Sequence, residues 1–165
     1  MMCLQRVRLP TSPSCARISQ STSISCTRLV RRAVLLIAAT LGVNECRHLA
    51  AVAHELKLET VLEVHCENEL EYVNDNIDII GVNNRNLGTF ITNTANSEYL
   101  APKLPVSITR ISESGIKDAQ TILRLQLLGF KGFLIGESFM QADNPAQELA
   151  RLVADIWELY QNPRV

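Results

Sequence analysis

From residue 33 onward, short apolar, β-branched runs alternate with longer stretches in which apolar residues recur every three or four positions. Strand then amphipathic helix, repeated in series, is the pattern of a parallel sheet, because neighbouring parallel strands need a crossover that carries the chain back to its starting end. Five such units are legible. The first strand covers 33–38 and its helix about 44–56, with Leu49, Val52, Ala53 and Leu56 on one face and Asn44 placed as the cap. The second strand covers 59–64, followed by a helix over 67–73 whose first-turn acids complement the helix dipole.

A continuously apolar third strand, 77–82, leads through the polar loop 83–87 to a helix near 96–104 and a fourth strand, 106–111, rich in residues that favour extended backbone. A helix over 117–128 ends at Gly129, where a left-handed cap is wanted. The fifth strand is 130–136. The last helix opens at Asp143, Asn144 and Pro145 and runs to about 160, with Leu149, Leu152, Val153, Ile156 and Leu159 as its apolar stripe, expected to be core.

Strands apolar on both faces belong either to a doubly wound sheet or to part of a (β/α)8 barrel. The strand ends favour the barrel. Glu63 closes the second strand, Asn83 and Arg85 follow the third, Glu113 and Ser114 the fourth, and Gly136 and Glu137 the fifth. In a barrel these positions converge on one mouth, where such enzymes keep their active sites.

The formal net charge of -1 hides an uneven distribution: residues 1–32 hold six Arg and no acid, and residues 33–165 hold ten Lys or Arg against 17 acids. A mildly acidic body without a basic stripe is no footprint for nucleic acid, so that partner is excluded. Five cysteines without CxxC spacing read as free thiols in a reducing compartment. The apolar run after Arg31 and Arg32 is too short to span a bilayer, which needs roughly 20 residues, and it begins too late for a signal peptide. No membrane association is expected, and a cytoplasmic location is.

The strings LEVH (62–65), IIGVNNRNL (79–87), ISESGI (111–116) and FLIGESFM (133–140) resemble, in order and spacing, strands five to eight of the indole-3-glycerol-phosphate synthase family, and AVLLIAATL resembles its fourth. The likeness covers residues 33–165. It implies a partial (β/α)8 barrel lacking the first three strands, and a carboxy-lyase of tryptophan biosynthesis acting on a phosphorylated small molecule, with no cofactor and no metal. Residue by residue, it implies that Glu63 transfers a proton in ring closure or dehydration. Asn83 and Arg85 match the pair that orients the substrate, where a guanidinium suits bidentate contacts. Glu113 joins Glu63 and Asn83 as catalytic, and Ser114 contacts substrate. Ser114, Gly115, Gly136 and Glu137 match the phosphate site, where backbone N–H groups meet the anion. Taken alone, Glu63 is more often a capping residue, Arg85 a surface charge, and the two glycines plain turn residues. His65 reads as structural or as a neighbour of the site.

The family's early strands carry a glutamate, a carboxylate-binding lysine and, in a KDF string, a lysine taken as general acid; none is matched. In their place stands the Ser/Arg-rich segment 1–32, which has the composition of a transit peptide. Another origin is expected. Read one nucleotide out of phase, with Arg17 and Arg28 as AGR and Ser23 and Ser25 as AGY, residues 12–30 permit IPVLRKDFTIDEYQLHEAR, similar to the family's third strand and its helix. Residues 1–32 are therefore expected to be a non-native or disordered, out-of-frame segment, and residues 33–165 the barrel half.

Half a barrel cannot close, so strands 33–38 and 130–136 are expected to expose unpaired edges and to drive self-association. The expected function is the family's synthase reaction, with this chain inactive alone. The alternatives are a non-catalytic fragment that binds phosphate, or another phosphate-binding barrel enzyme of tryptophan or histidine synthesis.

Overall fold

The β-branched runs form strands. The structure, a computed structural model, describes residues 15–17 and 33–162. Its strands are β1 (Cys15–Arg17), β2 (Ala33–Ile37), β3 (Glu59–Val64), β4 (Ile79–Asn83), β5 (Thr109–Glu113) and β6 (Gly132–Leu134). All pairs are parallel and run in chain order across one sheet. Helices α1 (Val43–Glu55), α2 (Ala95–Leu100), α3 (Ala119–Leu127), α4 (Glu137–Met140) and α5 (Pro145–Gln161) return the chain, with 3-10 turns at Ala38–Thr40, Glu67–Tyr72 and Ala101–Lys103.

A doubly wound sheet reverses its strand order at a switch point. Here the order never reverses, and the helices share one face. Val34, Leu36, Leu62, Val64, Ile80 and Val82 pack with Cys46, Ala50, Leu100, Ile122, Leu125 and Leu152 from the helices. The opposite face forms a separate cluster of Val61, Ile79 and Ile111, with Leu35 against it and no helical residue in it. The fold is α/β, a partial (β/α)8 barrel with a packed interior.

Side chains alternate along a strand, so the interior row continues upward by twos. Register pairs Ile37 with Glu63, Glu63 with Gly81 and Gly81 with Ile111, and then Asn83 with Glu113. The interior face thus changes from apolar to polar at its carboxyl end.

Several boundaries differ from the sequence expectation. The fourth expected strand starts at Thr109 rather than residue 106, because its neighbour β4 begins at Ile79 and earlier residues have nothing to pair with; Val106 is exposed. β6 shortens to the three residues matched by β5. The helix expected over 67–73 is a six-residue 3-10 turn, with extended Cys66 and Val73 at its ends. Gly42, not Asn44, caps α1, and the Glu45 carboxylate accepts from the Gly42 N–H at 3.5 Å. Asn144 caps α5 through the Gln147 N–H at 3.1 Å, and Gly129 has φ +96° after α3. Leu149 and Val153 of the expected core stripe are 49% and 44% exposed, because α5 turns only Leu152, Ile156 and Leu159 of that stripe into the core.

Among the described residues six strands are present where five were expected. β1 pairs with β2 over Ala33, Val34 and Leu35, so the edge expected at residue 33 is covered there. Three extended residues can satisfy backbone groups whatever their side chains, and apolar periodicity does not detect them. The remainder of the expectation for residues 1–32 lies outside the described residues.

Candidate active site at the carboxyl ends of the strands

Glu63 ends the interior row of β3 and is 4% exposed. Its Oε1 accepts from Asn83 Nδ2 at 3.0 Å and lies 3.2 Å from His65 Nε2. Asn83, at the end of β4, also accepts the Arg85 N–H at 2.9 Å through Oδ1, which turns the chain and aims Arg85 across the mouth. There the Arg85 guanidinium meets the Glu137 carboxylate at the start of α4. Glu113, buried at the end of β5, lies over Gly81, where a Cβ would stand 2.0 Å from Glu113 Oε1. The absent side chain is what admits this carboxylate.

Ser114 and Gly115 take φ of +67° and +73° in succession, curling the chain out of β5. With Gly136, Glu137, Ser138 and Arg85 they line a small hollow. The Ser114 N–H donates to Leu134 O at 3.2 Å. Beside this hollow a cleft of about 680 Å³ is lined by His65, Glu69, Asn83, Arg85, Asn86 and Asn96 among others.

The structure therefore brings Glu63, Asn83, Arg85 and Glu137 into one line of contacts, sets Glu113 beside Asn83, and ends the line at Ser114, Gly115 and Gly136. Cys46 is buried and Cys66 exposed, both as free thiols. Burial pushes the Cys46 thiol up, with Arg47 opposing.

Two groups are only partly legible in the sequence: Asn84 is not singled out, and His65 reads as structural or as a neighbour of the site, without its partner Glu69. Asn84, 4% exposed, donates through Nδ2 to Ser112 Oγ and Ser114 O, both at 3.0 Å, and accepts through Oδ1 from Ser97 N–H at 3.1 Å and Ser97 Oγ at 2.8 Å. It pins β5 and α2 to the end of β4. The NN doublet was the only signal, and strand alternation decides which amide faces the mouth. The second group is His65 with Glu69. The Glu69 carboxylate accepts the His65 backbone N–H at 2.6 Å and lies 3.5 Å from Nδ1. Burial opposes a charge on the imidazole, but the close approach of the Glu63 and Glu69 carboxylates outweighs it and lifts His65 to about 9. Burial would also raise Glu69, but its contacts with His65 hold it below the ordinary carboxylate range.

No helix among the described residues is long and apolar enough to cross a membrane. A family model described as indole-3-glycerol phosphate synthase matches residues 18–152. The indole-3-glycerol phosphate synthase of Bacteroides thetaiotaomicron is 52% identical over 124 residues, covering 75% of this chain and 48% of that protein. That of Salinibacter ruber is 40% identical over 74% of this chain and 46% of its own length. The chain thus spans about half the length of these relatives. Among solved structures, 3-hexulose-6-phosphate synthase from Salmonella typhimurium shares the fold with a TM-score of 0.56 at 16% identity, covering 77% of this chain and 62% of that one. The sequence match runs through every strand from β2 to β6, the strands whose ends build the mouth, and the chain belongs to the indole-3-glycerol phosphate synthase family.

Proposed function

We propose that this chain supplies half of an indole-3-glycerol phosphate synthase site, for conversion of 1-(2-carboxyphenylamino)-1-deoxyribulose 5-phosphate to indole-3-glycerol phosphate. The observation that carries this reading is the line Glu63, Asn83, Arg85, Glu137, ending at the glycine turns. In the reaction a ring carbon bonds to the ketone carbon while the ketone oxygen takes a proton. Loss of carbon dioxide restores the aromatic ring, and removal of a C–H proton with departure of the hydroxyl as water completes the indole. Glu63 moves a proton, Glu113 supports it from the next strands, and Asn83 and Arg85 orient the anthranilate and hydroxyl parts. The Ser114 hydroxyl and the backbone at Gly115, Gly136 and Glu137 hold the phosphate. The reaction needs no cofactor, and a cytoplasmic location suits it.

Among the described residues no lysine lines the cleft or the hollow. A missing general acid lowers turnover by about 10²–10⁴-fold. That observation favours a second reading, a phosphate-binding fragment without turnover of its own. Assaying indole-3-glycerol phosphate formation by the chain and by Glu63→Gln, with an inorganic phosphate titration alongside, separates the two. Product that vanishes in Glu63→Gln supports the synthase; phosphate binding without product supports the fragment; neither result overturns both.

Residues 1–32 are read as out-of-frame translation, and the family match from residue 18 is what an in-frame reading has in its favour. The nucleotide sequence upstream of the Ala33 codon decides between them. Self-association through the β6 edge belongs to the same proposal.

A further inference from the structure

The reading of Glu63 as the proton-transferring group leaves open what holds it in place and in which charge state, and the surroundings of His65 bear on both. His65 lies two residues beyond Glu63, with its side chain 10% exposed. Its Nε2 faces Glu63 Oε1 at 3.2 Å and its Nδ1 faces Glu69 Oε2 at 3.5 Å. Both ring nitrogens are buried and neither is aligned for a good hydrogen bond, so the contact is chiefly one of charge. Glu69 also accepts the His65 backbone N–H, at 2.6 Å, so one carboxylate meets both the backbone and the ring of His65. A third tie comes from Asn96, whose Nδ2 donates to His65 O and Asn83 O, both at 3.0 Å. One amide thus couples the loop that carries His65 to the residue that grips Glu63 from the other side.

Asn83 and His65 approach the same oxygen of Glu63. A neutral amide and a cation converging there orient the carboxylate and favour its charged form. We infer that His65, held by Glu69, is a positioning residue for Glu63, fixing Oε1 and keeping the carboxylate ionised. This rests on the proposed role of Glu63. The lift of His65 to about 9 agrees, since it leaves the proton on the imidazole through the neutral range. Among the described residues the charged groups facing the ring are Glu63 from its own strand and Glu69 from the following 3-10 turn. The elements packed across from it, β4 and α2, bring the uncharged amides Asn83 and Asn96, and Arg85 at the rim is paired with Glu137.

The test is magic-angle-spinning NMR on the full chain with 13C-labelled glutamate and 15N-labelled histidine, which reads each group whether or not the chain stays monomeric. In the unsubstituted chain the His65 ring stays protonated through neutral pH. His65→Gln is expected to raise the Glu63 carboxyl midpoint by about one pH unit or more. Glu69→Gln keeps both partners of the contact and is expected to lower the His65 midpoint toward its ordinary range, which tests the lock even if His65→Gln fails to fold. A Glu63 midpoint unmoved by His65→Gln, or a His65 midpoint unmoved by Glu69→Gln, overturns the inference. Turnover is not read here, so an absence of indole-3-glycerol phosphate counts against the proposed function alone.

Discussion

The Arg85 guanidinium is paired with the Glu137 carboxylate across the barrel mouth, joining the loop after β4 to the first turn of α4. Both residues line the hollow at Ser114 and Gly115, and the pair occupies the one guanidinium among the described residues that line it.

An anion entering the hollow has to compete with Glu137 for Arg85. Glu137→Gln is therefore expected to tighten inorganic phosphate binding by roughly 2–5-fold, the small factor appropriate to a half-exposed ion pair. Arg85→Ala is expected to abolish it. Isothermal titration of both variants checks the pair, and weaker binding by Glu137→Gln would mean that the carboxylate helps the anion.

The buried amide of Asn84 gives a second expectation. Asn84→Ala leaves the hydroxyls of Ser97 and Ser112 and the carbonyl of Ser114 without their amide partner in a dry interior. A loss of about 2–4 kcal/mol is expected in denaturant unfolding. A loss below about 0.5 kcal/mol would show that water replaces the amide.

Gly81 has no room for a side chain. Gly81→Ala sets a Cβ against Glu113 Oε1, and Ile111 Cγ1 bounds the same space at 3.5 Å. Displacement of the Glu113 carboxylate is expected, with about 1–3 kcal/mol of lost stability. A crystal structure of the variant with Glu113 unmoved would contradict this.

The His65 site also sets a pH dependence. Its folded value of about 9 lies above the unfolded 6.5, so its stabilisation is complete below 6.5 and is lost as pH rises through 9. On the order of 2 kcal/mol is expected to disappear between pH 6.5 and 9.5 in the unsubstituted chain, and little in His65→Gln. Equal slopes in the two proteins would assign the alkaline loss to other groups.

Among the described residues β6 has a strand on one side only, and Trp157 and Tyr160 of the neighbouring α5 are exposed. A weight-average mass that climbs with concentration in sedimentation is expected as second copies pair along this edge. A constant 18.4 kDa across the series would remove the edge as a sticky surface.

How much of this was legible follows from which signals are local. The β3 bounds, the left-handed Gly129 and the Asn144 cap depend on a few adjacent residues, and the sequence carried them. Strand limits that depend on a neighbour were misread: Val106 and Ile108 are β-branched as in a strand, yet pairing begins only where Thr109 meets Ile79. Likewise Leu149 and Val153 lie at helical spacing with Leu152 and Ile156, but the packing of α5 covers only part of that stripe.

The sequence by itself determined a serial βα chain, its family, and the residue types at each strand end, because periodicity and short strings are written in neighbouring positions. Only the tertiary structure decided which groups touch. Asn83 reaches Glu63 across 20 positions, Asn84 holds Ser112 across 28, and Arg85 meets Glu137 across 52, contacts created when parallel register brings strand ends to one rim. The upward shift of His65 belongs to the same class, since it arises only where two carboxylates converge on one ring and outweigh its burial.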